Sequence, residues 1–363
     1  MWERAKGLLG GLILAAALVA IQLALRAAGK EFFLTQLTMS IYYAIVVLGL
    51  SLLMGYAGQV SLGHGAFFAI GGYTTAILTT SNFLRWEGPL APVLRAGHVF
   101  VMREDVYGEP LMAVAPWAAF LAAMALTFVV AVLIGYSALR LKGHYLAMAT
   151  LGFGLIVQRI VLGSTFTGAS DGVTSVPPFH LIGSLAISSK SALRVQNYYI
   201  AAFVLLVAIV LLWNLLHSRV GRALQAIHDR ETAANTMGIN TAQYKLKAFV
   251  TSALLAAMAG VLFTHYTGGI GPSEAGALKS IRYVALAAAG GMANIWAVAV
   301  TSITLNFLSL RGWFGSYDNA VFGIILIAII SIAPEGPAKQ INEWARQIAR
   351  RSQKTAEEHD AAA

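Results

Sequence analysis

Long apolar runs alternate with polar segments along the chain, and each run is close to the roughly 20 residues that a helix needs to cross a bilayer. The runs are Leu8–Leu25, Leu34–Met54, Leu62–Thr80, Trp117–Leu139, Tyr145–Leu162, Asn197–Leu216 and Ala248–Thr267. The first is preceded by Arg4 and Lys6, as in a signal peptide. It is long for one, however, and Arg26 and Lys30 follow without a small-x-small cleavage site, so it reads as an uncleaved span. Leu278–Leu310 is too long for one span and short for two, and Gly290-Gly291-Met292-Ala293-Asn294 interrupts it. Ala320–Ala333 is the last run, and Lys339, Arg346, Arg350, Arg351 and Lys354 follow it. Two short spans turning at Gly290–Asn294 place this basic tail on the same side as the N-terminus, and one span would place it opposite. The pattern predicts ten spans with both termini cytoplasmic, because the inner segments then carry more Lys and Arg than the outer ones.

Among the polar segments, Ser218–Lys247 is a basic island with Arg219, Arg222, Arg230, Lys245 and Lys247 against Asp229 and Glu231. Ala223, Leu224, Ala226, Ile227, Ala233, Ala234 and Met237 give its middle helix formers and a broken apolar face, and Gly238 is placed to end the helix. The segment reads as a short surface helix, suited to docking more than to catalysis. An ion pair made there by an exposed Glu231 would contribute only about 0–1 kcal/mol. Ser81–Pro116 is polar, with Arg85, Glu87, Arg95, Arg103, Glu104, Asp105 and Glu109, and Gly163–Gln196 is a second polar loop. Ile341, Trp344, Ala345 and Ile348 share a helical face in the tail, which predicts a helix on the inner leaflet before a disordered end from Ser352.

Composition sharpens the class. Of the 363 residues 58% are hydrophobic and 11% charged, where a soluble domain carries about 25% charged residues. The chain is predicted to be an all-α integral membrane protein with one domain: residues 1–33 form the first span and a linker, 34–333 the core and 334–363 a cytoplasmic tail. The net charge of +9 fits the cytoplasmic face and lipid headgroups, not nucleic acid. There is no cysteine, which removes disulfides and thiolate chemistry. All sixteen acidic residues, Glu274 and Asp171 among them, fall in loops, termini or span edges. That placement argues against an intramembrane hydrolase and against a stand-alone secondary transporter, which buries a carboxylate for its coupling ion. The eight histidines show no ligand spacing. Lys279-Ser280 lacks the glycines of a phosphate-binding loop, so no ATP site and no cofactor is expected in this chain.

The densest glycine cluster is Gly55-Tyr56-Ala57-Gly58-Gln59-Val60-Ser61-Leu62-Gly63-His64-Gly65-Ala66-Phe67, followed by Gly71-Gly72. Small residues let helices approach in lipid, and a polar break can line a path through the bundle. Tyr56, Gln59, Ser61 and His64 are candidates for that path, with plain helix packing as the other reading. Thr167-Gly168-Ala169-Ser170-Asp171-Gly172-Val173 precedes Pro177-Pro178 and reads as a turn. Thr167 and Asp171 there are either structural or in contact with an arriving solute. Arg159, near the end of its run, either snorkels to the interface or meets the solute.

These segments carry a resemblance. Glu231-Thr232-Ala233-Ala234-Asn235-Thr236-Met237-Gly238 resembles the EAA motif of permease subunits of ABC importers. With Gly221-Arg222-Ala223-Leu224, Gly238-Ile239-Asn240, Tyr244-Lys245-Leu246 and Ala248-Phe249 it is similar to the branched-chain amino-acid permeases of the LivM type. The Gly55–Phe67 stretch resembles their GYAGQxSLGHxAF pattern, 167–173 their TGGx(D/N)G(L/V) segment, and Pro334-Glu335-Gly336 their closing PxG. The resemblance runs from about Leu37 to Gly336. It implies a bacterial inner-membrane permease whose coupling helix, through Arg222, Glu231, Ala233, Ala234 and Gly238, seats in an ATPase subunit that holds the ATP. The implied partners are a LivH-like permease, two ATPase subunits and an extracytoplasmic substrate-binding protein, and the implied cargo a branched-chain amino acid or similar small polar solute. Relatives with the same motifs serve urea or short amides. Ser280-Ile281-Arg282 departs from the family's Ser-Ile-Glu, Gly290–Trp296 from its GGxGSxWG, and the 81–116 loop is long.

Overall fold

The computed structural model describes residues 2–84, 99–104, 110–139, 143–183 and 185–312, with isolated positions between 317 and 331. Most of the expected last span at 320–333, the tail helix around Trp344, the Pro334–Gly336 match, and Arg85, Glu87, Arg95, Asp105 and Glu109 of the first polar loop lie outside the described residues.

The chain is mostly helical, and among the described residues six helices are long and apolar enough to cross a membrane. These are α1 (Trp2–Ala27), α2 (Phe33–Ser51, continued by a π-helical turn over Leu52–Tyr56), α4 (Pro116–Ala138), α5 (His144–Gly163), α6 (Arg194–Leu216) and α9 (Thr241–Thr267). Between them lie the shorter α3 (His64–Thr80), α7 (Arg219–Asp229) and α8 (Glu231–Thr236). After α9 come α10 (Ala277–Ala289) and α11 (Ile295–Leu310). The ambiguous Leu278–Leu310 run is thus two helices, parted at Gly290–Asn294. Gly291 takes φ +85° there, and Asn294 caps α11 by accepting from the Ala297 N–H at 3.2 Å. α9 begins seven residues before the apolar run suggests, because Asn240 caps it through the Gln243 N–H at 3.2 Å.

Among the described residues the polar loops add three two-stranded antiparallel pairs that apolar periodicity does not announce. β1 (Phe100–Glu104) pairs with β2 (Pro110–Val114), with Met102 opposite Met112. β3 (Val173–Thr174) pairs with β6 (Gly269–Ile270), and β4 (Phe179–Ile182) with β5 (Leu185–Ile187).

α2 is the axis of the bundle. It is buried almost throughout, with α6, α9, α10 and α11 packed around it, and α3 and α4 complete the core against α9. α1, α4 and α5 keep most of their apolar surface outward, as helices facing lipid or another subunit do. The tightest crossing is that of α3 with α9. A side chain at Gly71 would overlap the Ala257 carbonyl, and one at Gly260 the Phe68 carbonyl, so the two backbones touch. α5 is 20 residues long, about 30 Å. It separates two ends of the bundle: one holds residues 57–63, 217–240 and 290–294, the other the three strand pairs.

Candidate functional site

The basic island folds as two helices, not one. α7 buries Gly221, Ala223, Leu224 and Ile227 and exposes Arg222. The chain then turns at Arg230, whose φ of −154° and ψ of 99° are extended, and α8 restarts at Glu231. Asp229 and Glu231 flank the turn, and Glu231 sits favourably in the first turn of α8. Gly238 has φ +84° with nothing within 4 Å of a Cβ placed on it, so its demand is conformational and not steric. The Ile239 N–H donates to the Ala234 carbonyl at 3.1 Å and closes the helix end. Ala234 is buried, Ala233 is exposed, and Met237 is 83% exposed. Met237 and Ala233 thus present an apolar patch outward.

Glu231 is not the loosely held surface acid that its sequence context suggests. Its Oε1 lies 2.6 Å from Lys245 Nζ, and the Lys245 side chain is 10% exposed against 35% for Glu231. The Thr241 hydroxyl, with one proton to give, lies 3.1 Å from Asn235 Oδ1 and 3.5 Å from Glu231 Oε1. Glu231, Lys245 and Gln59 line one cavity of about 240 Å³ together with Gly58 and His144. Gly58 takes φ +66°, and a Cβ there would lie 2.9 Å from His228 Nδ1 of α7. The glycine-rich break therefore packs directly against the basic island.

Tyr56 belongs to the same end. Its hydroxyl donates to the Ala293 carbonyl, and Ser51 donates to the Met292 carbonyl at 2.9 Å. Gly55 leaves room for that carbonyl and no more. Tyr56 and Arg222 line a second cleft of about 780 Å³, which Trp213 and Trp296 wall.

The other residues named for a path do not join these. His64 is buried between α3 and α9, shares a hydrogen bond of 2.6 Å with Ser252 Oγ, and stands edge-on to Phe249. Ser61 is fully buried, with only a 3.4 Å contact from the Gly63 N–H to its hydroxyl. Thr167 lies at the far end and donates to the Val161 carbonyl at 2.6 Å, which makes it a turn residue. Asp171 is exposed there beside Ser170 Oγ at 3.3 Å, and Gly172 packs on Ile270. Arg159 is exposed on α5 four residues from its end, the position from which a side chain snorkels.

One cluster escaped the sequence reading, and it corrects the expectation that no carboxylate lies at span depth. Glu274 is 8% exposed. Lys279 Nζ donates to Glu274 Oε1 at 2.9 Å and to the Tyr43 hydroxyl at 3.0 Å, and Tyr43 donates to Glu274 Oε1 at 3.1 Å. Lys279 also sits 4.4 Å above the Tyr43 ring. Tyr43 is near the middle of α2. α3 serves as a ruler for depth. Thr75 bonds His265 near the end of α9 at 3.1 Å, and Gly65 N–H donates to Ser280 Oγ in the first turn of α10 at 3.0 Å. Those two points on α3 are about ten residues, or 15 Å, apart. The chain leaving α9 thus turns back along α3 through Gly268–Gly276 and starts α10 about halfway into the bundle. The signal was present as Gly268-Gly269-Ile270-Gly271-Pro272, a glycine-proline interruption before an unusually short apolar run.

The family model described as "Branched-chain amino acid transport system / permease component" matches residues 32–330. The chain belongs to that family. Among its relatives, the high-affinity branched-chain amino acid transport system permease protein LivM of Escherichia coli K12 is 30% identical over 82% of this chain and 68% of the relative. LivM of Salmonella typhimurium is 29% identical over the same shares. LivH of Salmonella typhimurium is 24% identical over 84% of this chain and 95% of the relative. No solved structure matches the chain. As a branched-chain amino acid transport permease, it is a LivM-like multi-pass membrane protein, and its relatives are permease subunits, not ATPases.

Proposed function

We propose that this permease forms the translocation path of an ATP-driven importer for a branched-chain amino acid or a similar small polar solute, with the ATP bound by separate subunits. The observation that carries the reading is the surface formed by α7 and α8. An exposed Ala233 and Met237 sit on and just after α8, which the Glu231–Lys245 pair ties to α9, while His228 of the adjoining α7 packs on Gly58 of the glycine-rich break. Such an element can transmit a partner's movement into the bundle. The partners are a LivH-like permease, two ATPases and an extracytoplasmic binding protein. We take α3, α10, α11 and the 320–333 run as further spans, ten in all, with the α7–α8 end facing the cytoplasm of the bacterial inner membrane. The second polar loop, with Thr167 and Asp171, then faces the binding protein.

The buried Glu274 withdraws the sequence argument against an ion-coupled transporter, so energy source becomes the decisive test. The tagged permease, purified from its own cells, should copurify with ATPase subunits and, in vesicles, accumulate solute on addition of ATP and binding protein. Uptake driven by a sodium or proton gradient without ATP would refute the reading. Urea or amide uptake with ATP would keep the mechanism and change the cargo.

A further inference from the structure

The start of α10 brings together features that a structural ion pair does not need. Non-helical backbone at membrane depth is tolerated only where protein buries it or a cavity meets it. Here Gly268–Gly276 supplies such backbone, and α10 begins where it ends, so the first N–H groups and the positive end of a 13-residue helix lie inside the bundle. Glu274 Oε2 is buried with no hydrogen-bond partner among the described residues. The Tyr283 hydroxyl is likewise without one, on a side chain 1% exposed. Tyr283 lies one turn along α10 from Lys279, on the same helical face. Tyr43, Lys279, Arg282, Tyr283, Asn306 and Leu310 line a void of about 20 Å³. The unpartnered Tyr283 thus shares one small void with Tyr43 and Lys279, the two residues that hold Glu274.

We infer that this cluster is the binding site for the zwitterionic head of an α-amino acid. Glu274 takes the ammonium group, and Lys279, the Tyr283 hydroxyl and the N-terminus of α10 take the carboxylate. This rests on the transport reading and names the site within it. The void holds about one water, so the site is closed here. A ligand enters as the Glu274–Lys279 pair parts, each charge exchanging its neighbour for the ligand group of opposite sign. The purely structural reading makes the pair a clip that holds the returning segment and Tyr283 a core aromatic beside Tyr43, and it gives the Tyr283 hydroxyl no task.

The test uses the assembled transporter, purified with its partner subunits in lipid nanodiscs. The probes are leucine, isocaproate (which lacks the ammonium) and isopentylamine (which lacks the carboxylate). Protection against thermal unfolding is read beside ATP-driven leucine uptake. Leucine should protect the wild type, and each analogue should need about tenfold more or worse, the equivalent of one lost charge-assisted contact. Glu274→Gln should abolish the preference for leucine over isocaproate. Because that variant leaves Lys279 unpaired and can fail to assemble, Tyr283→Phe is the second. Removing an unpartnered hydroxyl leaves a structural cluster intact, whereas a ligand contact shifts the leucine midpoint about tenfold with assembly unchanged. Equal protection by leucine and isocaproate in the wild type, absence of protection by leucine, or an unshifted midpoint in Tyr283→Phe overturns the inference. Protection that Tyr283→Phe weakens, without any ATP-driven uptake, would leave the site standing and remove the transport reading. ATP-driven uptake of another solute with no protection by leucine would do the reverse.

Discussion

Removal of the Glu231 carboxylate tests how the coupling surface is held. In Glu231→Ala the Lys245 ammonium, now 2.6 Å from its partner and 10% exposed, loses that partner and keeps its burial. Stripping one member from a fully buried pair costs about 3–5 kcal/mol, and losing an exposed pair about 0–1 kcal/mol. Glu231 is a third exposed, and the cavity of about 240 Å³ beside Lys245 admits water. The cost should fall between those limits, at about 2 kcal/mol. Lys245→Met removes the buried charge itself and leaves a carboxylate that reaches solvent and the Thr241 hydroxyl, so it should cost about 1 kcal/mol or less. Two equivalent partners would cost the same, whereas here loss of the more exposed Glu231 costs more. Hydrogen exchange of the amide of Ala234, a donor to Arg230 at the start of α8, and of Met237, Gly238 and Ile239, donors at its end, reads local opening. Exchange should rise about thirtyfold in Glu231→Ala and severalfold in Lys245→Met, at about 1.4 kcal/mol per factor of ten. Unchanged exchange in Glu231→Ala, or a larger effect of Lys245→Met, would refute the claim that burial of Lys245 sets the magnitude.

Three further outcomes follow. Gly238→Pro removes a donor and a positive φ from an exposed helix end at about 3 kcal/mol, so membrane insertion should be normal and ATP-coupled uptake lost; normal uptake at normal expression would show that α8 is not the coupling element. Gly260→Ala pushes a methyl into the Phe68 backbone at the α3–α9 crossing and should destabilise the bundle by at least about 1–3 kcal/mol, read as a lower melting temperature in detergent, while Gly152→Ala, which meets nothing within 4 Å, should leave it unchanged. Reporter fusions after Gly238 and after Gly291 should both read cytoplasmic and one after Asp171 periplasmic; opposite readings for the first two would remove the turn at Gly290–Asn294 from the inner face.

Hydropathy reveals the long helices because lipid demands continuous apolar length, and α4 and α5 begin and end within one residue of their apolar runs. It says less about what sits between them. The strand pairs are short, and β3 and β6 find each other across nearly a hundred residues, a juxtaposition no local pattern carries. The glycine-rich break was legible as a special segment, yet its polar residues divide. Tyr56 and Gln59 meet the basic island, while His64 is spent on Ser252. Glu274 was misread for a physical reason. A carboxylate in a glycine-proline segment next to an apolar run reads as a loop acid, and only the backward turn of that loop along α3 buries it. Arg230 was missed because strong helix formers on both sides of it conceal an extended residue.

The shortness of α10 has a mechanical consequence. Thirteen residues make a rod about 20 Å long. The turn that follows its C-terminus is seated against Ser51 and Gly55 through the Met292 carbonyl, and its N-terminal turn against Gly65 through Ser280. Both seats belong to one yoke, the stretch from Ser51 to Gly65, which His228 of α7 touches at Gly58. A rod gripped at both ends by one yoke resists tilting and yields most readily by rolling about its own axis. A roll of roughly 20° moves a side-chain tip about 2 Å at the outer radius of a helix. Lys279 and Tyr283 ride on the rod and Glu274 does not, so that roll alone would part the 2.9 Å contact between them. The gate at the centre of the bundle would then turn like a key, while the helices around it hold their places.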